Sequence, residues 1–183
     1  MSNFFFRSVC DDPKQLDTSS FTCEDSGHIE QWSDKFGCSN TYDGDESSVW
    51  QSYKNKYERV PGSTRDGKEQ LGFNTNVKII FGKETIVSGV QIINKADRED
   101  YFENYKVVKL EYSNGHSKEI ELANGKQNPI FNLETPVETS FVNVVGISTW
   151  GRIPDSHSWL DSRFTGYECG FSEIRVFGCE EGR

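Results

Sequence analysis

The chain has no apolar run near the roughly 18 residues that a membrane-crossing helix takes. None of its five cysteines stands in a C-x-x-C pair, which removes the usual zinc-ribbon and thioredoxin-type sites. Its three histidines, His28, His116 and His157, are scattered and lack helix-ligand spacing. Basic residues are in deficit: 20 Lys and Arg face 29 Asp and Glu, for a net charge of -9. That balance argues against a nucleic-acid partner and against electrostatic adhesion to anionic lipid. There is no N-x-[ST] glycosylation acceptor, and Met-Ser-Asn-Phe-Phe-Phe-Arg at the start is too short for the apolar core of a secretory leader. The expectation is a secreted or ectodomain fragment already trimmed of its leader, with disulfides as the use of its cysteines.

Hydrophobic residues make up only 34% of the chain, yet aromatics reach 13%, so a few large rings supply core volume rather than Leu-rich helices. From about residue 77 onward the pattern alternates with period two. Val108, Leu110 and Tyr112 share a face opposite Lys109 and Glu111; Ile120 and Leu122 alternate with Glu119 and Glu121; Ile174 and Val176 alternate with Glu173 and Arg175. Half-buried antiparallel strands follow. Phe81-Gly-Lys, Ser113-Asn-Gly, Ala123-Asn-Gly and Glu134-Thr-Pro read as the turns between them, giving an all-β sandwich or barrel. The 98–105 stretch has a rival helical pattern of at most two turns. Residues 51–72 and 151–170 lack periodicity and read as long loops, where function concentrates. At this length one domain is expected, as a 1–22 extension followed by a 23–183 sandwich.

Residues 43–50, Asp-Gly-Asp-Glu-Ser-Ser-Val-Trp, crowd oxygen donors into a turn ahead of a buried-looking Trp50. Hard cations take six to eight oxygens, and Gly44 lets the backbone curl so that Asn40, Asp43, Asp45 and Ser48 point inward. Far downstream, Gly170-Phe-Ser-Glu-Ile-Arg-Val-Phe-Gly-Cys179 is a last strand ending on cysteine. Between them, in order, come Val77–Gly82, Val87–Asn94, Tyr105–Gly115 and Pro136–Val142. This succession, with the turn as D-G-[DN]-x-x-[ST]-x-W, resembles the discoidin or coagulation-factor type C domains among the galactose-binding-like jelly rolls, over about residues 38–179.

The resemblance implies an antiparallel jelly-roll β-sandwich and one structural Ca2+. Its ligands would be Asp43 and Glu173 by side chain, Asn40, Asp45 and Ser172 by backbone carbonyl, and Ser48 by carbonyl or hydroxyl. It also implies a bridge between the two chain ends, from Cys10 or Cys23 to Cys179. Cys23–Cys38 is a further local pairing, Cys169 is an alternative partner for Cys38, and one cysteine is left over.

A pyranose has an apolar face and a rim of hydroxyls, so sugar sites pair an aromatic ring with a few charged hydrogen-bonding groups. Arg98-Glu99-Asp100 resembles the R-x-D element of fucose-binding lectins, and Arg152, His157, Trp159 and Arg163 populate the second long loop. Position 73 is Phe where that motif wants a histidine, and Lys106 falls one place late, so fucose specificity is not expected. Ser156-His157-Ser158 with Asp155 and Asp161 has the residue types of a nucleophilic triad. Triad members converge from distant segments, however, and no nucleophile-elbow glycine pattern is present. Carboxylates concentrate on strand outer faces and turns, as solvated charge does.

The expectation is thus an extracellular, non-catalytic recognition module of a larger protein, binding a glycan first. A cell-surface or matrix protein is the alternative partner, and a purely structural accessory domain the alternative role. Phospholipid ranks last, because the apolar candidates Tyr53, Tyr57, Trp159 and Leu160 lack a dense basic ring.

Overall fold

The computed structural model describes residues 10–26, 36–52, 57–65, 68–73, 75–94, 102–124, 127–150 and 168–179. Within these, 57–65, 68–73, 102–103, Thr149 and Glu168 are described by backbone alone. In chain order the strands are β1 (Lys14–Gln15), β2 (Thr22–Asp25), β3 (Trp50–Gln51), β4 (Tyr57–Arg65), β5 (Lys68–Phe73) and β6 (Asn76–Asn94). After them come β7 (Phe102–Glu103), β8 (Tyr105–Tyr112), β9 (Ser117–Glu121), β10 (Phe131–Thr149) and β11 (Glu168–Cys179). The molecule is an antiparallel jelly-roll sandwich: the alternation predicts its antiparallel strands and the resemblance its jelly-roll form, and among the described strand pairs only β7 with β11 is parallel.

Two long strands make the sandwich. The first part of β6 pairs with β2 and with the last part of β10, which pairs in turn with β8. The second part of β6 pairs with β11 and with the first part of β10. Each strand therefore serves both half-sheets, bending between them. Phe81-Gly-Lys and Glu134-Thr-Pro, expected to separate strands, are instead the bends. Gly82, Lys83 and Glu84 are exposed between buried Phe81 and Thr85, and the β10 register shifts between Asn132 and Val137 and again between Thr139 and Phe141. A Pro within a strand sits at such irregularities because it cannot donate to the ladder.

The two inner faces share one core, in which Tyr105 of β8 stacks on Phe171 of β11 with centroids 4.9 Å apart, and Phe171 stacks on Trp50 at 5.8 Å. Gly146 of β10 lies under this pile; a Cβ there would stand 2.2 Å from Tyr105 Cε1, so no larger residue fits without moving the ring.

Two segments differ from expectation. Within the expected 51–72 loop, β4 (Tyr57–Arg65) pairs antiparallel with β5 (Lys68–Phe73). The part of the rival helical stretch that is described is strand, β7 and the start of β8. The 1–22 extension, expected to pack or fray, packs in its described part: β1 pairs with the end of β11 and Leu16 enters the core. Chain-end pairing of this kind is reinforced covalently: the disulfides are Cys10–Cys179 and Cys23–Cys38, with Cys169 a buried thiol outside both.

Cys10–Cys179 closes a sequence separation of 169 residues. Chain-entropy arguments give a crosslink of that span about 5 kcal/mol. The C10S/C179S variant should therefore unfold at clearly lower guanidinium than the wild type, with native spectra before unfolding. Coincident denaturation curves would contradict this.

Candidate cation turn and loop-end aromatic site

Every expected cation-site residue lies in the described structure, and the residues converge although their sequence positions span the chain. A 3-10 turn at Cys38–Thr41, tethered by the Cys23–Cys38 bridge, presents the Asn40 carbonyl. Two successive Asx turns then fold the acidic segment: Asp43 Oδ1 accepts from the Asp45 N–H at 2.8 Å, and Asp45 Oδ1 accepts from the Ser47 N–H at 2.8 Å and the Ser47 hydroxyl at 2.6 Å. Those two bonds from Ser47 hold the exposed Asp45 carboxyl below its ordinary pKa. Gly44 between the two aspartates has φ +81°, a left-handed conformation that a side chain resists.

The Ser48 hydroxyl sits among the Asn40 carbonyl at 3.2 Å, Asp43 Oδ2 at 2.9 Å and the Asp45 carbonyl at 2.9 Å. One hydroxyl proton serves one of these three acceptors well, so the cluster is oxygen-rich and donor-poor. Neighbouring oxygens in a seven-coordinate calcium shell, each about 2.4 Å from the ion and about 72° apart, lie about 2.8 Å from one another. The distances found here are those of ordinary hydrogen bonds; what suits a hard divalent cation is the donor set, carboxylate, carbonyl and hydroxyl oxygens gathered on one side of the turn. Among the described residues no group of three or more His, Cys, Asp or Glu side chains is placed to hold a metal. An ion at this turn would rest on two carboxylates supplemented by carbonyls and a hydroxyl.

The second carboxylate is Glu173, only 1% exposed, whose Oε1 accepts from the Gly44 N–H at 2.7 Å across 129 residues of sequence. A bulge puts it there. Phe171 pairs with Asn94 and Glu173 with the adjacent Ile93, so two steps on β11 answer one on β6. Phe171 consequently points into the core, whereas Glu173, two residues on, meets the 43–48 turn. Burial pushes the Glu173 carboxyl up to about 7. Contact with the Asp43 carboxyl adds to the rise, and the Gly44 N–H and the Arg175 guanidinium oppose it. Ser172, expected as a carbonyl ligand, is buried beside it in β11.

The expected ligand residues Arg98, Asp100, Arg152, His157, Trp159 and Arg163 all lie outside the described residues. What is described is the scaffold from which their segments depart. Phe102 pairs with Glu168, and the Trp150 N–H donates to the Asn104 carbonyl at 3.0 Å, so the flanks of both segments meet at one end of the sandwich. Ser52, Thr75 and Ala123 mark the same end. Ser52 N–H donates to the Cys169 carbonyl, Gly146 N–H to the Thr75 carbonyl, and Asn94 Nδ2 to the Ala123 carbonyl.

Sequence reasoning missed Trp150, the last residue before the 151–167 segment. Its indole is 37% exposed, and its Nε1–H donates to the Leu122 carbonyl at 2.9 Å, which with the backbone bond fixes the ring orientation. Lys106 Nζ stands 4.9 Å from the ring centroid and 3.7 Å from the Glu121 carboxylate. Beside it Asn104 is 8% exposed, and among the described residues its Oδ1 has no hydrogen-bond partner. The signal for Trp150 was present: an aromatic residue at the exact end of an alternating strand, opening a long aperiodic segment.

The fold is that of the F5/8 type C, or discoidin-like, domains. It matches the family 32 carbohydrate-binding module of Clostridium perfringens NanJ, solved with galactose, at 14% identity over 91% of this chain and 99% of that one, with a TM-score of 0.61. An F5/8 type C domain from Bacteroides fragilis matches at 13% identity over 93% and 99%, with a TM-score of 0.61. The striped bass fucolectin matches at 14% over 90% of this chain and 49% of that one, with a TM-score of 0.58. No family model matches the sequence, and no curated protein matches it.

A carboxyl whose folded pKa is raised to about 7 from 4.5 contributes stability that is full below pH 4.5 and lost as pH rises through 7. With chelator present, Glu173→Gln, which does not titrate, should therefore gain in melting temperature relative to wild type between pH 5 and pH 8. Parallel curves across that range would contradict the assignment of Glu173 as the titrating group.

Proposed function

We propose that this domain is a non-catalytic, calcium-stabilised carbohydrate-binding module, reading a glycan at the loop end of the sandwich. The observation that carries the reading is Trp150, a pinned and partly exposed indole at the point where the candidate ligand segments leave the sheets. An indole face covers the apolar face of a pyranose, and fixing the ring in advance lowers the entropy lost on binding. Lys106 supplies donors to sugar hydroxyls from beside the ring. Arg98, Asp100, Arg152, His157, Trp159 and Arg163 would complete the polar rim from the flanking segments. Support from likeness is limited to the shared fold, in which the NanJ module was solved with galactose and another Clostridium perfringens module with GalNAc-β-1,3-galactose.

Calcium has a structural part in this reading. Asp43 and Glu173 would hold it by carboxylate, Asn40, Asp45 and Ser172 by carbonyl, and Ser48 by hydroxyl, clipping the first turn to the last strand. A fully ligated ion leaves no position for substrate, so its contribution is to native-state stability. Two disulfides support an extracellular setting, where such bonds persist. Membership in a larger protein is part of the same reading; one structural neighbour is a module from a family 31 glycoside hydrolase, and the match to a family 89 glycoside hydrolase covers 15% of that chain.

Glycan-array binding followed by titration tests the first part. Trp150→Ala should lose about thirtyfold or more in affinity for a sugar bound by wild type, as truncation of a central aromatic does, with melting unchanged within a few degrees. Silence of the wild-type protein across galactose-, GalNAc- and fucose-bearing glycans would favour a protein-binding or accessory role. For the ion, a hundredfold excess of calcium over its Kd stabilises by about 2.7 kcal/mol. Adding millimolar calcium to chelated protein should therefore raise the melting temperature by about 5–10 °C. Identical melts with and without calcium would remove the ion from the account.

A further inference from the structure

The 43–48 turn touches β11 at two places. Gly44 meets Glu173, and two residues further along each segment Glu46 Oε1 meets Arg175 Nη2 at 2.8 Å, with both side chains about three-quarters buried at 28% and 25% exposure. A single contact leaves a turn free to pivot about it; two contacts side by side fix its rotation as well. Glu46 Oε1 accepts from the guanidinium, and Glu46 is not among the acceptors around the Ser48 hydroxyl. Arg175 in turn carries a positive charge within electrostatic reach of Glu173. A cation beside a cation site disfavours metal by charge alone, which makes its placement there informative.

We infer that the Glu46–Arg175 pair is a positioning clamp for the cation turn, holding the Asn40, Asp43 and Asp45 oxygens at the spacing a divalent ion requires without itself ligating the ion. The inference rests on the calcium reading above. It predicts a sign opposite to simple electrostatics: deleting the positive charge of Arg175 weakens metal binding, because lost geometry outweighs relieved repulsion. Residues that orient metal ligands typically alter affinity by about tenfold or more when removed.

The test is calorimetric titration of calcium into chelator-stripped wild type, Arg175→Gln, Glu46→Gln and Arg175→Lys at one pH and ionic strength, each first shown to be folded by its melting curve. Wild type should bind, Arg175→Gln and Glu46→Gln should bind about tenfold more weakly, and Arg175→Lys, which keeps the ion pair, should recover most of the loss. Glu46 lies on the turn rather than in a strand, so its variant preserves the test if Arg175→Gln does not fold. Arg175→Gln binding calcium as tightly as wild type or more tightly overturns the clamp while leaving the calcium reading intact. A wild type that takes up no calcium overturns the calcium reading, and the clamp with it.

Discussion

A buried carboxylate is the constraint on which this end of the molecule depends. Taking an ionised Glu173 out of water is costly unless donors or a cation face it, and the chain meets that cost from 129 residues away with the Gly44 N–H. Much local structure serves that contact. The left-handed Gly44 turns its N–H toward β11, the β11 bulge turns Glu173 away from the core, and the Asx turns fix the spacing between. In our account the ion completes what one N–H begins, by compensating two neighbouring carboxyls that otherwise oppose one another.

The same last strand organises the whole sandwich. Its start lies at the loop end, where Phe102 pairs with Glu168; its middle carries Glu173 and Arg175 against the turn; its finish is bonded covalently to Cys10. Ties between distant parts of the chain thus gather along β11, and the segments that carry the candidate ligand residues leave from its loop end. Binding residues commonly sit on such connections, positioned by a rigid scaffold. Trp150 belongs to both parts, being held by strand backbone while presenting its ring beside the loops.

How much could be read from the sequence follows from the range of the interactions. Alternation at Val108, Leu110 and Tyr112 or at Ile174 and Val176 is local and gave the strands and the fold class. The 43–48 turn was legible because a short turn writes its chemistry in consecutive letters, and the expectation that Glu173 lies beside it came from resemblance. Phe81-Gly-Lys and Glu134-Thr-Pro misled because a bend within a strand and a turn between strands use the same residues; only pairing partners distinguish them. The pairing of β4 with β5 escaped because its alternation is broken by a register shift between Arg59 and Thr64. The choice between Cys10 and Cys23 as partner of Cys179, and the Glu46–Arg175 contact, depend on three-dimensional proximity that composition and period do not encode.

The most direct test of the account is a high-resolution crystal structure of calcium-loaded protein, with anomalous scattering used to locate the ion. The account predicts one anomalous peak between the 43–48 turn and β11, about 2.3–2.6 Å from the Asp43 and Glu173 carboxylates and the Asn40 and Asp45 carbonyls. An anomalous map empty at that position, with the Ser48 hydroxyl still among its three acceptors and Glu173 still against Gly44 and Asp43, would contradict it.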